Sequence, residues 1–464
     1  MPVYSCLVGQ MGVISACWYD VSMLIFKLMK KIREAPVLFE SDVLVVGSGS
    51  AGATAAIAAA QQGVSVTLVE RYGFPGGIST QVLDTFYGFY TPGDTPHKVV
   101  GGVPDAVVSA LFERGLAIKR PNTYGAGLGI TYDPEALKGI WEQMALEAGV
   151  NLLYHTLVVD ALMEAECVRG VLAASKAGFF RLKADVIIDA SGDADVAAAA
   201  GVPFEGVSSA AAPGKGNVAQ PGTTTFRLIN VDVNRASKVS KDQMHRMMTV
   251  AADSGRYCLP RREGSVHITP HDGVMVTNMT RVADVDISDP VNLTAAEVEG
   301  RRQAAEYYRF LRDCVPGYEN SILISQSTQI GIRESRRIFG EYRLTRDDVL
   351  AARKFEDGIA RCGAPIEDHN AGQETRWEYL PEGETYGIPY RCLLPQQVDG
   401  LLVAGRCLSA EHDAHASVRS MGQCMAMGQA AGMAAAMAVK ARRSVRQLDV
   451  ACLRDCLRSI GAVV

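Results

Sequence analysis

Residues 42–70 read DVLVVGSGSAGATAAIAAAQQGVSVTLVE, and the order of their parts decides the fold. Asp42 to Val46 is a short continuous apolar run, as expected of a strand buried on both faces of a parallel sheet. It passes directly into Gly47-Ser48-Gly49-Ser50-Ala51-Gly52, then an alanine-rich helix closed by Gly63, then a second β-rich strand ending at Glu70. A lone GxGxxG is weak, but strand, glycine turn, helix, strand and terminal acid in this order form a dinucleotide-binding βαβ unit. Gly47 permits the tight turn, Gly49 lets the backbone meet a pyrophosphate at the helix N-terminus, and Gly52 lets helix and strand pack closely. Glu70 is placed to accept hydrogen bonds from a ribose diol, which favours an adenosine without a 2′-phosphate.

Working outward, Thr156 to Leu182 alternates and breaks near Glu166 and Lys176–Gly178, so it reads as a three-stranded antiparallel meander. An apolar strand follows at Ala184–Asp189 and ends in Ala190-Ser191-Gly192-Asp193. Gly400 to Ala404 is a further buried strand, ended by Gly405-Arg406. The helix from about Met421 to Val439 is rich in alanine and glycine, with Gly428 and Gly432 marking close helix packing. The stretches between mix strands such as TTTFRLINVDV with helices such as LTAAEVEGRRQAAEYYRFLRDCV. The expected fold class is α/β, a Rossmann-like domain with a β-meander crossover, interleaved with a mixed α+β substrate domain. Its boundaries are residues 41–84, 141–202 and 396–445 for the dinucleotide domain and 85–140 and 203–395 for the substrate domain. Residues 1–40 form an N-terminal extension outside the fold and 446–464 a C-terminal helix.

Composition excludes several classes of function. The apolar fraction of 48% and charged fraction of 21% are those of an ordinary globular chain, and 464 residues can bury a large core. Lys plus Arg is 46 against 51 for Asp plus Glu, so no basic field exists to attract nucleic acid. The eleven cysteines contain no CxxC pair; they are expected to be reduced thiols of a cytoplasmic protein, most of them small buried hydrophobes. Met1 to Tyr19 carry no charge, but Lys27, Lys30, Lys31 and Arg33 follow the apolar stretch rather than precede it, and no cleavage pattern appears. Residues 1–28 are therefore read as dispensable, with no membrane span expected.

Four stretches carry a family resemblance: VVGSGSAG with Glu70-Arg71 and Gly76-Gly77; DVIIDASGDADVAAAAG; QIGIRESRRIFGEYRLTRDDV; and YGIPYRCLLP joined to GLLVAGRCLSAEHDAHASVRSMGQCMAMGQAAG. From about residue 40 to 440 the chain resembles the FAD-dependent oxidoreductases of the glutathione-reductase-like superfamily. The resemblance implies FAD as cofactor, with Gly47, Gly49, Gly52, Glu70, Arg71, Gly76, Gly77, Gly192, Gly405, Arg406 and Gly422 as candidate contacts. It also implies Val158 or Val159 as a backbone contact to adenine; spacing places no third ligand beside His412 and His415, so no metal is expected. A helix start at Met421-Gly422 suits the negative charge of reduced flavin. Two relatives are argued against: a disulfide reductase needs paired cysteines, and a two-domain pyridine-nucleotide reductase needs a second GxGxxG, whereas Gly125–Gly129 (GAGLG) lacks the final glycine. The second redox partner is then a quinone, another flavoprotein or a second substrate reaching the flavin directly.

Flavin carries the electrons, so the chain must supply orientation and proton handling. His412 and His415 lie a few residues beyond Gly405-Arg406 and titrate near neutrality, which makes them candidate bases; loop-orienting histidines and an HxxH metal pair are the competing readings. Arg333, Arg336 and Arg337 could fork a carboxylate or simply pair with Glu334, Glu341, Asp347 or Asp348. Arg406 and Arg419 bracket the histidine loop and have the better positional claim to a catalytic part. Cys407 and Cys424 are read as buried thiols. Two functions remain: hydride transfer between a small organic substrate and flavin N5, or a flavin-binding electron-transfer subunit without its own substrate.

Overall fold

A computed structural model describes residues 34–121, 125–206, 219–369 and 375–464. The expectation for residues 1–28 lies outside the described residues, but the boundary expected at residue 40 falls too late: the first strand of the sheet starts at Val37, because the long strand beside it continues the ladder, with Arg181, Leu182 and Lys183 opposite Val37, Phe39 and Glu40. The apolar run becomes strand β1 (Val37–Val46), the glycine turn opens helix α1 (Ser50–Ala60), and β2 (Val66–Val69) returns parallel to β1 with Val43 opposite Val66. Strand β3 (Asn151–Leu153) adds parallel to β2, so β2 is covered on both edges. The alternating stretch folds as β4 (Leu157–Glu164), β5 (Cys167–Ser175) and β6 (Gly178–Asp189), antiparallel neighbours in turn. The sheet order is β3-β2-β1-β6-β5-β4.

The third meander strand and the apolar run at 184–189 are one strand, a difference from the sequence reading with a clear cause. Ser41, Val43, Val45 and Val46 of β1 pair in parallel with Ala184, Val186, Ile188 and Asp189 while Gly170 to Ser175 pair antiparallel with Lys183 to Gly178. No residue between 178 and 189 is needed for a turn. The far half of β6 also accepts the strand Leu401–Val403 in parallel, register Leu401 to Ile187.

The second unit is built on an antiparallel sheet of β7 (Phe226–Ile229), β8 (Ser265–Ile268), β9 (Met275–Asn278) and β10 (Ile322–Gln326), in the order β8-β9-β7-β10. Helices α2 (Lys241–Asp253) and α3 (Pro290–Cys314) pack on it. Asp289 caps α3 through the Val291 N–H, and Pro290 occupies its first turn, where a missing N–H costs nothing. A separate apolar core joins Phe226, Met248, Tyr307, Phe310 and Tyr318.

Hydrophobic packing divides the chain differently from the expected boundaries. Phe86, Val107, Tyr132, Val349, Ile359 and Tyr386, all assigned above to the substrate domain, share one core with α1 and the late helices. Segments 85–140 and 344–394 therefore pack on the dinucleotide side, and the independently packed unit is centred on 226–323. Helix α4 (His412–Val418) leads into α5 (Met421–Ala441), which lies against α1. A Cβ on Gly428 would stand 2.0 Å from the Ala51 carbonyl oxygen, and one on Gly432 2.2 Å from that of Ala55. The two helices thus meet backbone to backbone. No helix of the described residues is long and apolar enough to cross a membrane.

Candidate active site

The turn after β1 fits a dinucleotide pyrophosphate. Gly47 has φ +89 and its N–H donates to Val69, tying the two parallel strands at their ends. A Cβ on Gly52 would lie 1.8 Å from the Gly47 carbonyl oxygen, so only glycine allows α1 this close to the turn. Gly49 caps α1 without a side chain, and a Cβ there would meet nothing nearer than Gly77 Cα at 3.9 Å. The space above the helix N-terminus is open, which is what an anion approaching its N–H groups requires. Gly76 donates to the Ser48 carbonyl and Gly77 closes the far side of the turn. Glu70 is buried at the end of β2, accepting from Ser48 N (2.9 Å), Ser48 Oγ (2.8 Å) and Tyr72 N (3.0 Å). A carboxylate offers about four lone-pair sites, so Glu70 retains acceptor capacity for a diol.

One cleft runs from this turn between the two units. Gly47, Gly49, Glu70, Arg71, Gly77, Val158, Gly192 and Gly405 lie on its wall, as do Arg406 and Arg419. Gly52 and Gly76 sit behind it as packing positions. Gly422 is not on the wall: its N–H donates to the Tyr87 carbonyl (3.0 Å) and its Cα faces Gly88, so that amide is already used. Ser420 and Met421, at the start of α5, face the cleft instead.

Arg406 is fixed by Asp193 (2.6 Å) and Ser335 Oγ (2.5 Å). Burial pushes the Asp193 carboxyl up, but Arg406 and Ser335 outweigh it and hold it below the usual carboxylate value. Gly192 beside them has φ +80, and a Cβ there would crowd the Arg406 guanidinium at 3.1 Å. Cys424 also faces the cleft, with burial pushing its thiol up to about 12, whereas Cys407 is buried away from it. All described cysteines are free.

The histidine pair does not reach the cleft. His412 is clamped between Glu334 (Nδ1, 2.9 Å) and Asp368 (Nε2, 3.3 Å), and hydrogen bonds to these two carboxylates raise it to about 9. His415 is fully buried, donates Nε2–H to the Arg406 carbonyl (2.7 Å), and burial depresses it to about 3. Proximity in sequence to Gly405-Arg406 is real, but a cation already spoken for and a sealed neutral ring are poor proton shuttles; the loop-orienting reading fits the geometry. Asp413 joins Asp368 and His412 in a close group, and Arg376 pairs with both carboxylates, at 2.5 Å for Asp413 and 3.4 Å for Asp368.

His412 sets a pH test. Its folded-state pKa lies above the ordinary 6.5, so its contribution to stability is complete below about pH 6.5 and lost as pH rises through about 9. The loss should be on the order of 2 kcal/mol in denaturant melts across that window. His412→Gln should flatten the profile while leaving FAD content and anaerobic flavin reduction within about threefold of wild type. A reduction rate 100-fold lower would restore His412 as a proton carrier.

The far end of the cleft holds groups that sequence patterning did not single out. Arg261, in the loop before β8, donates to the Asn278 carbonyl (3.1 Å). His369, just beyond strand β11 (Ile366–Asp368), bridges Thr375 Oγ1 (Nδ1, 3.0 Å) and Glu367 (Nε2, 3.1 Å), and burial depresses it to about 3. Burial pushes Glu367 up, but His369, Arg419 and Arg333 bring it down to about 2. Trp377, in strand β12 (Arg376–Glu378), forms part of the same wall. These residues come from separate segments of the chain, so no local spacing announced them. Arg336 pairs with Asp195 and Arg337 with Glu205 and Glu334, the structural alternative for that arginine cluster. Gly125–Gly129 leads into a strand, not a helix, as a loop would.

A parallel sheet, a glycine turn at a helix start, a buried acid at the second strand end and a cleft shared with a second unit define a dinucleotide-binding enzyme. The chain belongs to the family described as FAD dependent oxidoreductase, whose match spans residues 42–457. It is an oxidoreductase, and its cofactor is FAD. A search of curated protein sequences found no match. Among solved structures, the chain is similar to a geranylgeranyl bacteriochlorophyll reductase-like protein from Thermoplasma acidophilum (12% identity, 91% of this chain and 84% of that one, TM-score 0.45). It is also similar to CabE, an aromatic hydroxylase from angucycline biosynthesis (15%, 91% and 68%, 0.44), and to the flavin-dependent brominase Bmp2 (14%, 90% and 83%, 0.45).

Proposed function

We propose that the protein transfers hydride between a small organic substrate and N5 of FAD, and that the second redox partner meets the flavin in the same cleft. The observation that carries this reading is the cleft's continuity from the Gly49 turn past Trp377 to Arg261 of the other unit, which leaves room for a substrate beyond the cofactor. Among the described residues the Gly47–Gly52 turn is the one GxGxxG turn that joins a parallel strand to a helix start, so a nicotinamide cofactor would have no fold of its own.

Bound FAD would supply a two-electron acceptor or donor; the chain supplies placement. Gly47, Gly49 and Gly77 would admit the pyrophosphate, Glu70 the ribose, Val158 the adenine, and Gly192 and Gly405 the remainder. Arg406, locked by Asp193, would present a fixed positive charge to the reacting end. The His412 and His415 rings would hold helix α4 in place behind it.

The competing reading, an electron-transfer subunit without its own substrate, differs in one measurable respect. Purified holoprotein mixed anaerobically with a metabolite panel, with no partner protein added, should show flavin bleaching with at least one metabolite. Bleaching only after addition of a partner flavoprotein or quinone reductase would favour the electron-transfer subunit.

A further inference from the structure

Three arginines meet at the substrate end of the cleft, and the groups that hold them are neutral. Arg333 donates to the Pro221 carbonyl (2.7 Å) and to Asn278 Oδ1 (3.4 Å). Arg419 donates to Gln220 Oε1 (2.9 Å) and the Glu367 carbonyl (3.2 Å). Arg261 donates to the Asn278 carbonyl, and Glu263, its nearest carboxylate at 3.8 Å, is paired more closely with Arg281 at 2.8 Å. Among the described residues neither Arg333 nor Arg419 has a carboxylate within ion-pair distance.

Among the described residues the carboxylates nearest the three arginines are already engaged: Glu263 by Arg281, Glu367 by His369, which is neutral at pH 7, and Glu334 and Asp368 by His412. Burial, with Arg261 and Arg419 alongside, holds Arg333 well below the usual arginine value, the mark of positive charge left uncompensated. Guanidinium stays protonated in proteins, so the excess is real. A second observation points the same way. Arg261 is only 7% exposed, with its Nε turned to Glu263 at 3.8 Å, and Arg419 Nε, on the cleft wall, is buried without a hydrogen-bond partner. Buried polar groups are almost always satisfied, and an orphaned guanidinium donor on a cleft wall is the complement of an acceptor that arrives with the ligand.

We infer that this end of the cleft is a carboxylate-binding site, with Arg261, Arg333 and Arg419 holding the anionic group of an organic-acid substrate. Planar guanidinium forks match a carboxylate two donors at a time, which fixes the substrate's orientation as well as its charge. The cofactor's own phosphates do not compete for this end, since the helix N-terminus at Gly49 serves them at the other. The inference deepens the oxidoreductase reading and rests on it for what the bound acid would do.

The test uses FAD-loaded wild-type protein titrated with succinate, benzoate and methyl phosphate, and with the neutral amides succinamide and benzamide. Flavin difference spectra and calorimetry report binding. At least one carboxylate should bind about tenfold or more tighter than its amide. Arg333→Gln and Arg419→Gln should weaken it by at least about tenfold, with FAD content unchanged, and Arg333→Lys should recover part of the loss. Amides binding as well as acids, methyl phosphate binding where neither acid does, no acid binding at millimolar concentration, or Gln variants that bind like wild type would each overturn the inference. Absence of FAD from the purified protein would instead overturn the reading beneath it.

Discussion

Gly49→Val should yield a folded protein that carries no FAD. Gly49 has φ −63 and ψ −177, extended geometry that valine adopts freely, and a Cβ there meets only Gly77 Cα at 3.9 Å. The apoprotein has no reason to be strained. The new methyl groups instead fill the space through which a pyrophosphate must reach the first N–H groups of α1, and losing that contact should cost at least about 100-fold in affinity, near 3 kcal/mol. Purification of Gly49→Val as colourless, monodisperse protein with a near-normal melting temperature is the expected result. Gly52→Ala gives the contrast: its Cβ would lie 1.8 Å from the Gly47 carbonyl oxygen, so the protein should lose stability as well as flavin. Retention of FAD by Gly49→Val at wild-type affinity would place the cofactor elsewhere.

The second large effect lies away from the cofactor. Gly428→Val should destabilise the fold on the order of 3 kcal/mol, because its Cβ would fall 2.0 Å from the Ala51 carbonyl oxygen and 2.7 Å from its carbon, backbone atoms with no rotamer to change. Displacing α5 displaces α1, so FAD content should fall with the melting temperature. Gly139→Ala is the matched control: it sits in the helix Pro134–Glu147 with nothing within 4 Å of its Cβ, and should stabilise by about 0.5–1 kcal/mol. Equal melting temperatures for Gly428→Val and wild type would mean that the helices can separate at little cost.

What the sequence made legible was whatever is local along it. The βαβ unit, the distinct positions of Gly47, Gly49 and Gly52 and the meander all follow from neighbours in the chain meeting neighbours in space, and Gly428 and Gly432 announced a close contact through their own spacing although not its partner, α1. Reading failed where a segment's partner is remote. Strands of 85–140 and 344–394 have the same alternation whichever core they join, so the periodicity of Tyr132 or Ile388 could not reveal that both pack on the dinucleotide side. His412 and His415 were drawn toward the cofactor by their nearness to Arg406, yet Glu334 and Asp368, from remote segments, hold His412 off the wall, and His415 is buried against the Arg406 carbonyl. Arg261 and His369 were passed over for the converse reason: each stands in an irregular stretch, and only the packing of remote segments, for Arg261 that of the second unit on the first, brings them to Arg419.

The contact between α1 and α5 bears on the order in which the protein can acquire its cofactor. About 360 residues separate the end of one helix from the start of the other, and the strand Leu401–Val403 that completes β6 comes only shortly before the second. A contact of such long range pays its loop-closure entropy before it returns any burial. During synthesis the glycine turn would emerge early, with α1 still lacking the α5 backbone that covers it. The dinucleotide signature at the front of the chain therefore waits on its last quarter, and loading with FAD belongs to the final stage of folding.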